Sequence, residues 1–221
     1  MPGRGSGDPG PAAAAQVLGA ARTWRAARSA APLVIAIDGH GAAGKSTIAG
    51  QVAAAAGAAL IHTDDFLTEP AGPISGGPGP GGAGLAIGCY YDWGRLRAEA
   101  IEPLRAGRAV SFRSSDPGQR SAADGNWAGG TVTVQPSSLI VVEGVSSGAP
   151  ALSDLVNRSV LVDTPVGERM ARLRGRVQPE EWDDDWLAAE QAYFSLVRPP
   201  SSFDLVVSGA GIINGGAVTY A

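Results

Sequence analysis

The chain has 221 residues, a formal net charge of −4, a single cysteine (Cys89) and two histidines. This length suits one domain with a sizeable core, and the acidic balance offers no basic field for nucleic acid. The composition excludes an internal disulfide and an ordinary protein-only zinc site, and no apolar run is long enough to span a membrane. With no secretory pattern at the N-terminus, a cytoplasmic protein is expected, with Cys89 a small buried side chain and not a nucleophile.

Residues 1–11 are rich in Gly, Pro and Ser and are expected to be disordered. Residues 12–32 form a helix and linker, with Val17, Leu18, Ala21 and Trp24 on one face and Arg22, Arg25 and Arg28 on a solvated one. The domain proper is expected over residues 33–209, followed by a tail at 210–221. It opens with the unbroken apolar run Leu33–Ile37, the pattern of a strand buried on both faces.

Next comes Gly39-His40-Gly41-Ala42-Ala43-Gly44-Lys45-Ser46, which fits the phosphate-binding loop pattern at every fixed position. A helix-compatible run from Thr47 follows and stops at Gly57; strand, glycine loop and helix together are the context this motif requires. Glycines let backbone N–H groups turn inward around phosphate oxygens, and the helix N-terminus adds its dipole. The nucleotide contacts are expected from Gly39, Gly41, Ala42, Ala43, Gly44, Lys45, Ser46 and Thr47. Lys45 would reach the β- and γ-phosphates, and the Ser46 hydroxyl would meet Mg²⁺. Lys45 is the only lysine in the chain. A composition that uses arginine everywhere else uses lysine where a compact point charge is needed.

Ala58–His62 reads as a second strand, with His62 a strand-end residue in preference to a metal ligand. It delivers Asp64 and Asp65 at its carboxyl end, on opposite sides if the strand persists. Residues 70–88 are a mobile Gly/Pro loop, either a substrate lid or a spacer. Tyr90–Ala106 has helical periodicity, with Trp93, Leu96, Ile101 and Leu104 inward. Within 109–135, Val110–Phe112 and Thr131–Val134 suggest a hairpin insertion standing off the main sheet.

Leu139–Val142, ending at Glu143-Gly144, and Ser159–Asp163 are further buried strands. Arg169, Arg172 and Arg176 then share a helix face, either a solvated stripe or an arginine lid over a triphosphate. Pro179–Val197 is helical with Trp182, Trp186, Tyr193 and Val197 near one face, and Phe203–Val207 is a fifth strand. The fold expected is a three-layer α/β phosphate-loop architecture with a mostly parallel five-stranded sheet, a small β-hairpin insertion and an arginine-bearing lid. Strand carboxyl ends share one edge in such a sheet. Gly39–Ser46, Asp64–Asp65, Glu143 and Asp163 should therefore converge there.

These pieces resemble the uridine kinase family, within the wider group that includes phosphoribulokinase and pantothenate kinase. Asp64-Asp65-Phe66 is similar to that family's Asp-Ser-Phe, which implies Asp64 as general base. Tyr91-Asp92-Trp93 with Leu96, Val141-Val142-Glu143-Gly144, Val162-Asp163-Thr164 with Arg169 and Arg172, and Phe203–Val207 resemble further family segments in order. The family's hairpin carries Tyr-Asp and then His to read a pyrimidine. Here the stretch is Arg113-Ser114-Ser115-Asp116, with Arg120 and no His after it.

The resemblance implies a kinase using ATP and Mg²⁺ on a hydroxyl of a small acceptor, a nucleoside being the leading choice. A kinase of pantothenate or another small metabolite, a regulatory ATPase and a nucleotide-binding pseudoenzyme stand as alternatives. Catalytic roles are expected for Asp64, Lys45 and Arg169, further nucleotide contacts from Arg172 and Arg176, and acceptor contacts from Asp65, Tyr91, Asp92, Arg113 and Glu143. Ser46, Asp64 and Glu143 would serve the metal. Neither a nucleic-acid nor a membrane partner is expected; self-association into a homo-oligomer is left open.

Overall fold

The computed structural model describes residues 10–27, 31–68, 87–115, 130–175 and 184–211. Residues 1–9, 69–86, Asp116, Arg120, Arg176, Trp182 and the tail from residue 212 lie outside the described residues, together with the expectations placed on them.

Strand β1, Leu33–Asp38, is buried at all six positions, which is what its unbroken apolar run requires. It pairs in parallel with β5 (Leu139–Glu143) on one side and β6 (Arg158–Asp163) on the other. Strand β2 (Ala59–His62) extends the sheet beyond β5, and β7 (Leu205–Ser208) extends it beyond β6. The order β2-β5-β1-β6-β7 is parallel throughout. The second sheet is the expected hairpin, β3 (Val110–Arg113) antiparallel to β4 (Thr131–Val134).

One face of the sheet packs on α1 (Gly10–Ala26) and α2 (Lys45–Ala56) through Val17, Ala21, Ile35, Ile37, Ile48, Val52 and Val160. Leu18 and Trp24 cover the same core from the partly buried rim, so the face read from the periodicity of the first helix turns inward. The other face packs on the hairpin and a helical segment through Val34, Ile61, Phe66, Leu96, Ile101, Leu104 and Phe112. Each such side chain contributes about 1.5–3 kcal/mol on full burial. The two faces and the sheet make the three layers.

The segment expected as one helix over Tyr90–Ala106 is helical without interruption from Trp93 to Arg105, but starts later and carries a π-turn. A 3-10 turn at Ile87–Tyr90 leads to an isolated bridge between Tyr91 and Leu67. Then come α3 (Trp93–Leu96), a π-turn (Arg97–Ile101) and α4 (Glu102–Arg105). Pro103 supplies the reason: it has no N–H and its ring crowds the carbonyl four residues back, so the preceding turn widens. In the 3-10 turn Ile87 takes the buried position and Cys89 is exposed, contrary to the expectation of a buried thiol. The last strand also begins later than expected. Asp204 stands outside it and accepts from the Ser159 N–H at 2.8 Å.

Candidate active site

The phosphate loop leaves β1 at Asp38 and enters α2 at Lys45. Gly39 has φ 147°, and a Cβ there would lie 2.5 Å from the Val162 carbonyl oxygen, so only glycine fits. Ala42, at φ 58°, is left-handed without being glycine, a strained geometry typical of binding loops. Three loop carbonyls are bonded away. Lys45 Nζ donates to His40 O at 2.9 Å, Arg172 Nη1 to Ala42 O at 3.0 Å and Thr164 Oγ1 to Ala43 O at 2.8 Å. Of the N–H groups on these three peptides, that of Gly41 donates to Glu190 Oε2 at 2.9 Å and that of Ala43 to His40 O at 3.1 Å, so the loop's turn is held from both sides. No side chain caps the first turn of α2, so its N-terminal dipole is uncompensated.

Asp38 is fully buried and anchors the loop's first residue. Its carboxylate accepts from the N–H groups of Gly39, Ser146 and Gly148 and from the Tyr193 hydroxyl, all at 2.8–2.9 Å. Burial raises Asp38 above the ordinary carboxylate value, with the bonds from Gly148, Tyr193 and Gly39 opposing it.

Beside the loop, Ser46 Oγ donates to Glu143 Oε1 at 3.0 Å, and His62 Nδ1 lies 2.6 Å from Glu143 Oε2. Parallel pairing of β2 with β5 sets His62 opposite Glu143, so this contact follows from the register. Burial works against charge on both partners. It is outweighed on Glu143 by the bond and charge of His62, then by Lys45 and Ser46, so Glu143 sits below its usual range. His62 is raised because its bond to Glu143 and the charges of Glu143, Asp65 and Asp64 overcome burial. The chemistry of the donor set fits Mg²⁺: one hydroxyl and one carboxylate leave most positions to phosphate oxygens and water. Among the described residues no group of three or more His, Cys, Asp or Glu could cage a metal by itself.

The two adjacent carboxylates lie on a 3-10 turn, Thr63–Phe66, and not on a continuing strand. The turn separates them in a different way from strand alternation. Asp64 is exposed, whereas Asp65 is buried and accepts from Ser114 Oγ at 2.5 Å. Asp65 also receives the Ser115 N–H on its carbonyl at 2.8 Å, which ties the turn to the hairpin. Tyr91 is buried next to this turn. Burial, with the charge of Asp64 adding, pushes its hydroxyl well above the ordinary phenol value.

Other expected residues lie apart. Asp92 is taken up as the N-cap of α3, its Oδ1 accepting from Arg95 N at 2.9 Å. Arg113 is exposed at the end of β3 and, with Arg95, Ser114, Ser115 and Thr131, lines a cavity of about 610 Å³.

The arginine helix, α5 (Val166–Arg174), is not a solvated stripe at its loop-facing positions. Arg169 is only 5 % exposed, with Nε donating to Thr164 O at 3.3 Å. Arg172 spans Ala42 O, Gly209 O and Glu168. Sequence reasoning missed Asp38 and Glu190. For Asp38 a signal existed, since an acid closing a two-sided buried strand has to find donors. Glu190, on α6 (Asp184–Ala192), is 2 % exposed; its Oε2 accepts from Gly41 N at 2.9 Å and its Oε1 lies 2.7 Å from His40 Nδ1.

No family model and no curated protein matches the chain. Solved structures do. A protein from Bacillus stearothermophilus described as a possible uridine kinase is 21 % identical, with a TM-score of 0.59 over 88 % of this chain and 96 % of its own. The D-glycerate 3-kinase of Cryptococcus neoformans var. grubii is 13 % identical, with a TM-score of 0.56 over 89 % and 95 %. At these identities the likeness is one of fold, and it covers most of the chain.

Proposed function

We propose that the chain is an ATP-dependent phosphotransferase that moves the γ-phosphoryl group to a hydroxyl of a small acceptor. The observation that carries this reading is the company kept by the phosphate loop. Lys45, the Ser46–Glu143 pair and the Thr63–Phe66 turn bearing Asp64 all stand at strand carboxyl ends of one sheet. When bound, Mg²⁺ would supply positive charge to offset the negative charge developing in phosphoryl transfer. Ser46 and Glu143, with Asp64 through water, are the residues that would hold it. Lys45 would steady the phosphates, and Asp64, exposed on the turn after β2, would take the acceptor proton. Arg169 and Arg172 would offset the charge of transfer.

A nucleoside is the leading acceptor on the motif resemblance. A small anionic metabolite is the second reading. It is favoured by the cavity at the hairpin, where among the described residues Arg113 stands exposed beside Arg95, itself paired with Glu99, and where the one aromatic, Phe112, is only 4 % exposed and so offers no open face to stack a base.

ADP release should be followed with and without a panel of nucleosides, pantothenate, glycerate and hexoses. Release that depends on one acceptor class is expected. Acceptor-independent release would replace this reading with an ATPase, and tight ATP binding without release would make the chain a pseudoenzyme.

A further inference from the structure

Glu190 has no place in the phosphate-loop motif, yet three parts of the loop's surroundings converge on it. Its Oε2 takes the Gly41 N–H at 2.9 Å. Its Oε1 lies 2.7 Å from His40 Nδ1 and 3.6 Å from Arg169 Nη1. The imidazole is in turn seated against Phe194, centroids 4.2 Å apart.

An ionised carboxylate at 2 % exposure is costly unless its partners compensate, and a position that needed only packing would be apolar, as its neighbour Ala189 is. Burial would make Glu190 a weaker acid. The bond and charge of His40, the Gly41 N–H and the charge of Lys45 instead hold it below its ordinary value, so it stays charged.

Arg169 is the informative partner. At 3.6 Å the two groups attract without a hydrogen bond, and among the described residues the guanidinium's hydrogen bond is the one from Nε to Thr164 O. The guanidinium carries five N–H donors. It is therefore held beside the loop with donors unspent.

We propose that Glu190 is a positioning residue for the phosphoryl donor: one carboxylate pins the loop backbone at Gly41, orients His40 and keeps Arg169 turned toward the place of a phosphate oxygen. This rests on the phosphotransfer reading above. Glu190 acts through Arg169 and the loop, and touches no reacting atom.

The test uses the full chain and the variants Glu190→Gln, Glu190→Ala, Arg169→Ala and the double variant E190Q/R169A. Melting temperature, ATP affinity by calorimetry, and kcat and KM with the best acceptor are measured for each. Glu190→Gln keeps an acceptor for Gly41 but loses the ion pair. Its kcat should fall about 10–100-fold, the scale of a misplaced group, with acceptor KM unchanged. Glu190→Ala should in addition weaken ATP binding about 10-fold or more. The double variant should be no slower than Arg169→Ala alone.

Gly41→Ala gives a second route should Glu190 variants fail to fold. Its Cβ would stand 3.3 Å from Oε2, so the carboxylate must give by a few tenths of an ångström, and a fall in kcat smaller than that of Glu190→Gln is expected at native melting temperature. A merely structural Glu190 would lower the melting temperature, leave kcat intact and add to Arg169→Ala; that result overturns the proposal. Tighter ATP binding by Glu190→Gln at unchanged kcat also overturns it, since the carboxylate would then oppose the phosphate. If the wild-type chain binds ATP but transfers to no acceptor, the phosphotransfer reading fails alone, and the same cycle read in ATP affinity decides the role of Glu190. A wild-type chain that binds no ATP removes both.

Discussion

The phosphate loop and the β3–β4 hairpin are fastened to the sheet in opposite ways. Around the loop, Asp38, Thr164, Arg169 and Glu190 are all buried; Thr164 and Glu190 bond loop atoms more than a hundred residues earlier, and Asp38 at the loop's start bonds Ser146 and Gly148 equally far along the chain. The hairpin meets the sheet through a few links: Ser114 and Ser115 to Asp65, and Phe112 against Phe66 at 4.8 Å. Arg95 adds a bond to Ser115 and another to the Arg113 carbonyl. Strand β3 exposes alternate residues where β1 and β5 expose none. A buried polar network tolerates few alternatives, because each unpaired member costs a desolvation penalty. A half-exposed hairpin can change its outward residues at little cost. The half of the molecule that would hold the donor is therefore rigidly prescribed, and the half facing the acceptor is free to vary.

The largest effect should come from the turn where the two regions meet. Asp64→Asn keeps shape and hydrogen bonding but cannot take a proton, so kcat should fall by roughly 10²–10⁴ with ATP affinity little changed. Asp65→Ser should behave differently, because Asp65 is buried and paired with Ser114. It should cost about 1–3 kcal/mol of stability and leave most of the activity of the folded enzyme. Steady-state kinetics with parallel melts separate the two. If Asp65→Ser is the dead, fully folded enzyme, the assignment of the base is off by one residue.

On the loop side, Lys45→Ala should lower the rate by about 10²–10³ while the fold persists. Lys45 bonds one carbonyl, His40 O, and the loop retains its ties through Arg172, Thr164 and Glu190. Near-wild-type turnover would remove the phosphate-loop assignment. On the hairpin side, Arg113→Ala should raise the acceptor KM by about 10-fold or less and leave ATP KM alone, the modest effect of losing one exposed charge contact. A change in ATP KM instead would mean that the two regions are not separate.

Much of this architecture was legible because two-sided burial leaves a local trace. Leu33–Ile37 and Leu139–Val142 are unbroken apolar runs, and no solvent-facing strand reads that way. The phosphate loop was legible because its spacing is fixed by backbone geometry. The π-turn ahead of Pro103 had a visible cause in that proline, which the periodicity masked. Glu190 had no local signal. Its neighbours Ala188, Ala189, Gln191 and Ala192 suit any surface helix, and its partners His40 and Gly41 lie about 150 residues earlier. Arg172 misleads for the same reason, since a row of arginines on one helix face looks the same whether it meets water or loop carbonyls.

The smallest effect expected is on acid stability, and it sharpens the contrast between prescribed and free surfaces. Besides Glu143, two further carboxylates are held below their ordinary values. Glu190 is lowered against its burial by His40, Gly41 and Lys45. Asp154, bonded by Arg97 at 2.6 and 2.7 Å, is lowered to about 2, chiefly by that bond. A depressed carboxylate contributes stability above its unfolded value, 4.5 for Glu190 and 3.8 for Asp154, and loses it as pH falls through the folded value. The two pairs differ in exposure: Glu190 is sealed at 3 % of its side chain and Asp154 stands open at 62 %. Solvent and salt screen the second pair and not the first.

Denaturation curves taken from about pH 7 down to about pH 3 should therefore show Glu190→Gln less stable than wild type at neutrality and converging on it in acid, where the native glutamate is itself protonated. Asp154→Asn should track wild type throughout, and added salt should erase what difference it has. Parallel curves for Glu190→Gln would mean that the carboxylate's charge is not what binds it to the loop. A large acid-dependent effect at Asp154 would mean that the exposed surface is as tightly prescribed as the buried one.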